Sequence, residues 1–199
     1  MQDQFYYEGK ITLIEDRKMG KTEQEQQPIE NSNNQTGVKR YKLRQKMFSI
    51  GNDYWIENEQ GEQVYKVDGK AMRLRKTFYL EDAHGKQLAK IEKHLVTLKE
   101  TMEVKDSAGE QLALVKKALF TPLREHFEVK VKDGPDLEVH GNLLDHEYTI
   151  GEGRTTVAEV SKKYFNVRDS YSVSIEPGQD DVILLAVAVC IDEMAHSTR

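Results

Sequence analysis

Cysteine is almost missing from this chain. Cys190 is the one cysteine in 199 residues, so no disulfide can close within the chain and a reducing compartment fits. Positive charge is not in excess either. With 29 Lys and Arg against 34 Asp and Glu the net charge is -5, which gives no global attraction to nucleic acid or to anionic membranes. Any such contact needs a local basic patch, and no nucleic-acid partner is expected. Long apolar runs are missing too. The ten residues Val182–Ile191 rise only ~15 Å, about half of a bilayer's hydrocarbon core, so no transmembrane segment is expected. The chain starts Met1-Gln-Asp-Gln, without a basic n-region or an apolar h-region. A cytoplasmic protein is therefore expected, with peripheral association at a membrane surface as the corollary of any lipid binding.

Recognisable chemistry is equally sparse. No Gly-x-Ser-x-Gly elbow is present, and Gly151-Glu-Gly153 is too short for a nucleotide fingerprint and reads better as a hairpin turn. Six histidines, among them His126, His140 and His146, include no pair with a zinc or iron spacing. Sequence neighbours such as Asp145-His-Glu147 point to opposite faces of a strand, so no metal and no cofactor are expected. Cys190 lies in the apolar run, where a thiol keeps its proton and packs as a small hydrophobe. Nothing singles out a carboxylate pair for acid and base work, so the expectation is a protein that is not an enzyme.

What is present is a repeat. Gly61, Gly85 and Gly109 fall 24 residues apart, and Asp53–Val64, Thr77–Leu88 and Thr101–Leu112 align around them without a gap. His126–Gly134 is a looser fourth copy. Stacked units of this kind share one core. Apolar residues stand seven and five positions before each glycine: Tyr54 and Ile56, Phe78 and Leu80, Met102 and Val104, Phe127 and Val129. A spacing of two places both on one face of a strand, the core face. Asn58, Asp82 and Asp106 stand three before the glycine, where a short side chain bonds the backbone of a turn and the glycine takes the left-handed conformation of a bulged hairpin. Return strands follow at Val64–Val67, Leu88–Ile91, Leu112–Val115 and Leu137–Val139, with further strands at Met72–Leu74, Leu95–Leu98, Leu143–Ile150, Thr156–Val160 and Tyr171–Ile175.

About a dozen short strands would leave hazardous edges in an open sheet, so closure into an antiparallel β-barrel is predicted. Asp180 and Asp181 are placed to cap a helix that is apolar on every side through Ile191, and such a helix must be surrounded. It is expected along the barrel axis, with Asp192, Glu193 and His196 emerging at the far mouth. Before the barrel, residues 15–37 contain only Met19 and Ile29 as aliphatic or Met side chains, amid Glu, Gln, Asn and Lys. Such a stretch reads as a disordered linker. The domain reading is a flexible extension over 1–37 and a barrel over 38–199, with the apolar cluster of residues 1–14 either docking as a strand or lying on a surface.

The run Tyr41–Ile56, the following Val64–Lys70, the hairpin repeats and the closing apolar helix resemble the LURP-one-related proteins of plants and their prokaryotic relatives. Met47–Tyr54 and Val67-Asp-Gly-Lys70 are the most specific parts, and the likeness runs from about Val38 to Ile191. The resemblance implies a fold similar to the tubby C-terminal domain and to phospholipid scramblases, a closed barrel of about twelve strands threaded by a hydrophobic helix. Members of the family generally lack an established biochemical role. Tubby proteins hold a phosphoinositide headgroup in a basic pocket and scramblases act at membranes, but neither set of ligand residues maps position by position onto this chain.

The best binding signal is a basic patch. Arg40, Lys42, Arg44 and Lys46 alternate with Tyr41, Leu43, Gln45 and Met47, which puts four cations on one face of an extended segment. Lys70, Arg73, Arg75 and Lys76 form a second group. If the two groups run close together they suit an anionic phospholipid, a phosphoinositide or another phosphate-bearing ligand. The plain alternative is that both are solvated outward faces that discourage edge pairing. A protein-interaction or scaffold role, with residues 1–37 recruiting a partner protein, is the second functional reading.

Overall fold

The computed structural model describes residues 37–44, 53–70, 77–94, 100–118, 126–164 and 170–196. The N-terminal cluster, the linker up to residue 36, and the strands expected at Met72–Leu74 and Leu95–Leu98 lie outside the described residues.

The described residues form twelve strands and one helix. The strands are β1 (Lys39–Arg44), β2 (Tyr54–Glu57), β3 (Gln63–Lys70), β4 (Thr77–Asp82), β5 (Gln87–Lys93) and β6 (Thr101–Lys105), then β7 (Gln111–Lys117), β8 (His126–Val131), β9 (Leu137–Asn142), β10 (Glu147–Glu152), β11 (Thr155–Ser161) and β12 (Ser170–Ile175). The helix, α1, spans Asp181–His196. Each strand runs antiparallel to its neighbours in sequence, and the sheet closes because β1 pairs with β12 from Lys39 opposite Ile175 to Arg44 opposite Ser170. Closure removes the exposed edges that a meander of this length would otherwise present.

The three copies of the repeat are the same turn. The side-chain oxygen of Asn58 accepts from the N–H groups of Gln60 and Glu62 at 3.0 and 2.9 Å, that of Asp82 from His84 and Lys86 at 2.8 and 2.9 Å, and that of Asp106 from Ala108 and Glu110 at 2.9 and 2.9 Å. Gly61, Gly85 and Gly109 have φ of 79°, 81° and 91°, and the register shifts at Ile56/Glu57, Leu80/Glu81 and Val104/Lys105 mark the bulge. The fourth copy departs from this. Val131 stands where the Asx oxygen would be, and the left-handed residue is Asp133, at φ 58°, instead of Gly134. Gly153, at φ 58°, turns β10 into β11 as expected.

The inner faces of the strands and the apolar side chains of α1 from Val182 to Ala195 make one core. Leu184 through Ile191 are buried on all sides of the helix. The helix packs against β5, β6 and β7 and also against β12, which lies across the cylinder from β6 in the strand order. It therefore runs inside the barrel, and each large aliphatic side chain it buries there contributes about 1.5–3 kcal/mol. Asp180 caps it, with Oδ1 accepting the N–H of Ile183 at 3.0 Å.

The far end of the helix differs from expectation. Asp192 and Glu193 do not emerge: they are 3% and 1% exposed, and Met194 and Ala195 beyond them are buried. The reason is the segment expected to be strand from Leu143. Residues 143–146 form a turn, closed by the N–H of His146 on the carbonyl of Leu143 at 3.2 Å and braced by Asn142 and Asp145, and β10 starts only at Glu147. That turn folds Leu143 and His146 inward and supplies Asp192 with a partner, the His146 imidazole. A buried carboxylate needs one.

Candidate functional site

Alternation sets up the first strand. Tyr41 and Leu43 are buried on the inner face of β1, opposite Val173 and Tyr171 of β12, so Arg40 and Lys42 belong to the outer face. Both are engaged there. Arg40 donates from Nη1 to Glu59 Oε1 at 2.7 Å and from Nε to Ser174 Oγ at 3.1 Å, while its guanidinium lies 4.3 Å from the centre of the Tyr164 ring. Lys42 donates to Glu57 Oε2 at 2.9 Å. Tyr164, 49% exposed, and Val38, 41% exposed, are two of the three exposed large hydrophobic residues among the described residues; the Tyr164 ring lies against Arg40, and Val38 lines the same cavity as Arg40.

Lys39 has inner-face parity but sits at the rim. Its amine reaches into the barrel mouth and donates to Asp181 Oδ2, in the first turn of α1, at 2.7 Å. The hydroxyl of Tyr41 donates to the same oxygen at 2.9 Å, and the rings of Tyr41 and Tyr65 lie 5.7 Å apart. Burial, then the neighbouring Tyr65 and Asp181, push the Tyr41 phenol far above its usual range, and burial followed by Asp181 raises Tyr65. Both phenols stay protonated, as donors and acceptors without charge. Above them opens a cavity of about 400 Å³, lined by Lys39, Arg40, Tyr41, Tyr65 and, from the β2–β3 turn, Asn58 and Glu59. A volume of roughly 300–1,000 Å³ is usual for a small-molecule site.

The sequence-predicted patch is only partly gathered. Arg40 and Lys42 share the outer face of β1, Arg44 ends that strand, and Lys70 ends β3. β1 and β3 are not neighbours: β2 runs between them and contributes Glu57 to Lys42. Lys46, Arg73, Arg75 and Lys76 lie outside the described residues, as do the side chains of Arg44 and Lys70. Sequence reasoning missed Lys39 and Tyr65. The available signal for Lys39 was its two-residue spacing from Tyr41 and Leu43, which aims it at the barrel mouth instead of the outer wall.

Among the described residues no helix is long and apolar enough to cross a membrane. The chain is similar in fold to the X-ray structure of a protein from Arabidopsis thaliana, with a TM-score of 0.60 and 18% sequence identity over 81% of this chain and 93% of that one. No curated protein matches the sequence. The sequence pattern that defines LURP-one-related proteins matches residues 39–192, nearly the whole barrel and its helix. The chain belongs to the LURP-one-related family.

Proposed function

We propose that this barrel is a binding module for an anionic headgroup or another phosphate-bearing ligand, taken up at the cavity beside Lys39 and Arg40 and continued along the cations of β1. The observation that carries the reading is the cavity itself: two cations and two protonated tyrosines line a recess of ligand size in a protein of net charge -5. The carboxylate partner of Arg40 does not argue against it. Arg40 meets Glu59 where both side chains are substantially exposed, 28% and 43%. Such pairs are worth roughly 0–1 kcal/mol, so a phosphate can replace Glu59 at little cost. Val38 and Tyr164 around Arg40 give the same face an apolar fringe, an arrangement suited to a headgroup region where a cation and an aromatic ring sit together.

Binding to vesicles of phosphatidylcholine with and without a phosphoinositide tests the reading, alongside a soluble inositol phosphate. Retention on the anionic vesicles alone, falling as salt rises, is the expected result. Lys39→Gln with Arg40→Glu is expected to weaken it at least tenfold, since each cation near an anionic surface contributes about 1 kcal/mol and about 1.4 kcal/mol is a factor of ten. Equal binding by the double variant and the native chain, both folded, would remove the proposal. Response to the soluble phosphate without vesicle retention would place the ligand in solution.

A further inference from the structure

Four to five strands round the barrel from β1, the pairing of β8 with β9 assembles a cluster that the sequence hides. The register sets His126 opposite His140 and Glu128 opposite Glu138. Phe127, Val129, Leu137 and Val139 point inward and are buried, so the two histidines and two glutamates share the outer face. The rings of His126 and His140 lie 4.4 Å apart, with Nδ1 facing Nδ1 at 3.1 Å. On the far side of its ring, His140 Nε2 meets Glu138 Oε2 at 2.9 Å. His126, Glu138 and His140 are the one group of three or more potential metal-ligating side chains, converging within 4.8 Å, among the described residues.

The spacing admits a chelate in place of the hydrogen bond between the two imidazoles. Imidazole nitrogens bind zinc-like ions at about 2.0–2.1 Å, and two of them 3.1 Å apart subtend roughly 98° at one ion, between the octahedral and tetrahedral angles. Glu138 completes the arrangement. A carboxylate that accepts Nε2–H fixes the tautomer of the imidazole and leaves the Nδ1 lone pair toward His126, the usual outer-sphere support of a metal-binding histidine. Glu128 and Glu138 face one another on the same outer face, with Lys116 of β7 opposite Glu128. Two imidazoles select Zn²⁺, Ni²⁺ or Cu²⁺ over Mg²⁺ or Ca²⁺, which take oxygen ligands.

We propose that His126 and His140 form a surface site for a late first-row divalent cation, bound through both Nδ1 atoms, with Glu138 as the positioning residue that holds His140 in its ligating tautomer. The remaining coordination positions stay open to water. The site lies four to five strands from β1 in the closed order and does not depend on the reading of the Lys39–Arg40 cavity.

Calorimetric titration of the full, tag-free chain with Zn²⁺ in a non-chelating buffer tests the proposal. One equivalent is expected to bind, undisturbed by excess Mg²⁺. His126→Ala with His140→Ala is expected to abolish that isotherm while leaving the metal-free melting temperature and the vesicle binding unchanged, since both side chains sit on the outer wall. Glu138→Gln is expected to weaken Zn²⁺ about 10–100-fold. In heteronuclear spectra, the imidazole signals of His126 and His140 should shift with Zn²⁺ ahead of those of His84 and His94. An isotherm absent from the native chain, or retained in the double variant, overturns the site, and one unaltered by Glu138→Gln overturns the role of the carboxylate.

Discussion

His146 and Asp192 meet inside the barrel: imidazole Nε2 lies 2.7 Å from carboxylate Oδ1, with 1% and 2% of the two side chains exposed. The imidazole also stacks on Tyr171, centroid to centroid 4.3 Å. Asp192 is felt by three enclosed phenols, adding to burial in pushing Tyr54, Tyr148 and Tyr171 well above their usual range. A polar knot thus seals one end of an otherwise apolar lumen, and the left-handed backbone of His146, φ 55°, is what turns its ring inward.

Removing half of that knot should be costly. Asp192→Leu takes away a buried acceptor and is expected to destabilise by about 3 kcal/mol, between the cost of stranding a buried neutral donor and that of stranding a buried charge. For a chain of this size that lowers the melting temperature by roughly 6–12 °C. His146→Phe keeps the stacking on Tyr171, so His146→Phe with Asp192→Leu should lose less than Asp192→Leu alone. Simple additivity in a double-mutant cycle would mean the pair is not coupled.

Two glycines compare backbone strain alone, at Gly85, with backbone strain plus steric exclusion, at Gly141, φ 142°. At Gly85, φ 81°, an added methyl group would meet open space, so Gly85→Ala should cost only the left-handed strain, about 1–2 kcal/mol. At Gly141 the same methyl group would sit 2.4 Å from the carbonyl oxygen of Glu147 and 2.6 Å from Cα of Tyr148, backbone atoms that cannot step aside. Gly141→Ala should therefore cost roughly 3 kcal/mol or more. Chemical denaturation of the two variants decides the order, and equal losses would contradict the close approach.

The repeat turns give a pH signature. The N–H of Lys86, and with it that of His84, hold the Asp82 carboxyl below the usual carboxylate range against a smaller opposing effect of desolvation. A carboxyl depressed in the folded state stabilises fully above its unfolded value, about 3.9, and that contribution is lost as pH falls through the lower folded value. Asp82→Asn keeps the acceptor, as Asn58 does in the first copy, but cannot titrate. Its melting temperature should fall less steeply with acid below about pH 4 than that of the native chain. An identical acid limb would show that the turn does not set it.

Cys190 reports on the enclosure of the helix. It is wholly buried, and burial pushes its thiol far above the ordinary range. A disulfide reagent should therefore leave the native chain unmodified and titrate one thiol once denaturant is added. Rapid modification under native conditions would mean that α1 is open to solvent.

The architecture was legible because it is written twice over. The side-chain period of two and the 24-residue spacing of Gly61, Gly85 and Gly109 both specify hairpins, and the all-round apolar run Val182–Ile191 specifies an enclosed helix. Failures came where a long-range contact overrules a local signal. Nothing near Asp192 in sequence announces that His146, 46 residues away, folds in to meet it. His126 and His140, 14 residues apart, become neighbours only through the β8–β9 register. The cations of β1 were visible, but the cavity beside Lys39 depends on Tyr65 and the β2–β3 turn, which only closure of the sheet brings to that rim.

The most direct measurement is a residue-resolved titration. An ¹⁵N-labelled full chain, observed by two-dimensional NMR at low salt, is titrated with a soluble inositol bisphosphate. Progressive shifts of the Lys39–Tyr41 amides, together with those of Asn58, Glu59, Val64 and Tyr65 around the cavity, are expected if the ligand enters there. Spectra in which these amides stay fixed while others move, or in which none moves, would contradict binding at that cavity.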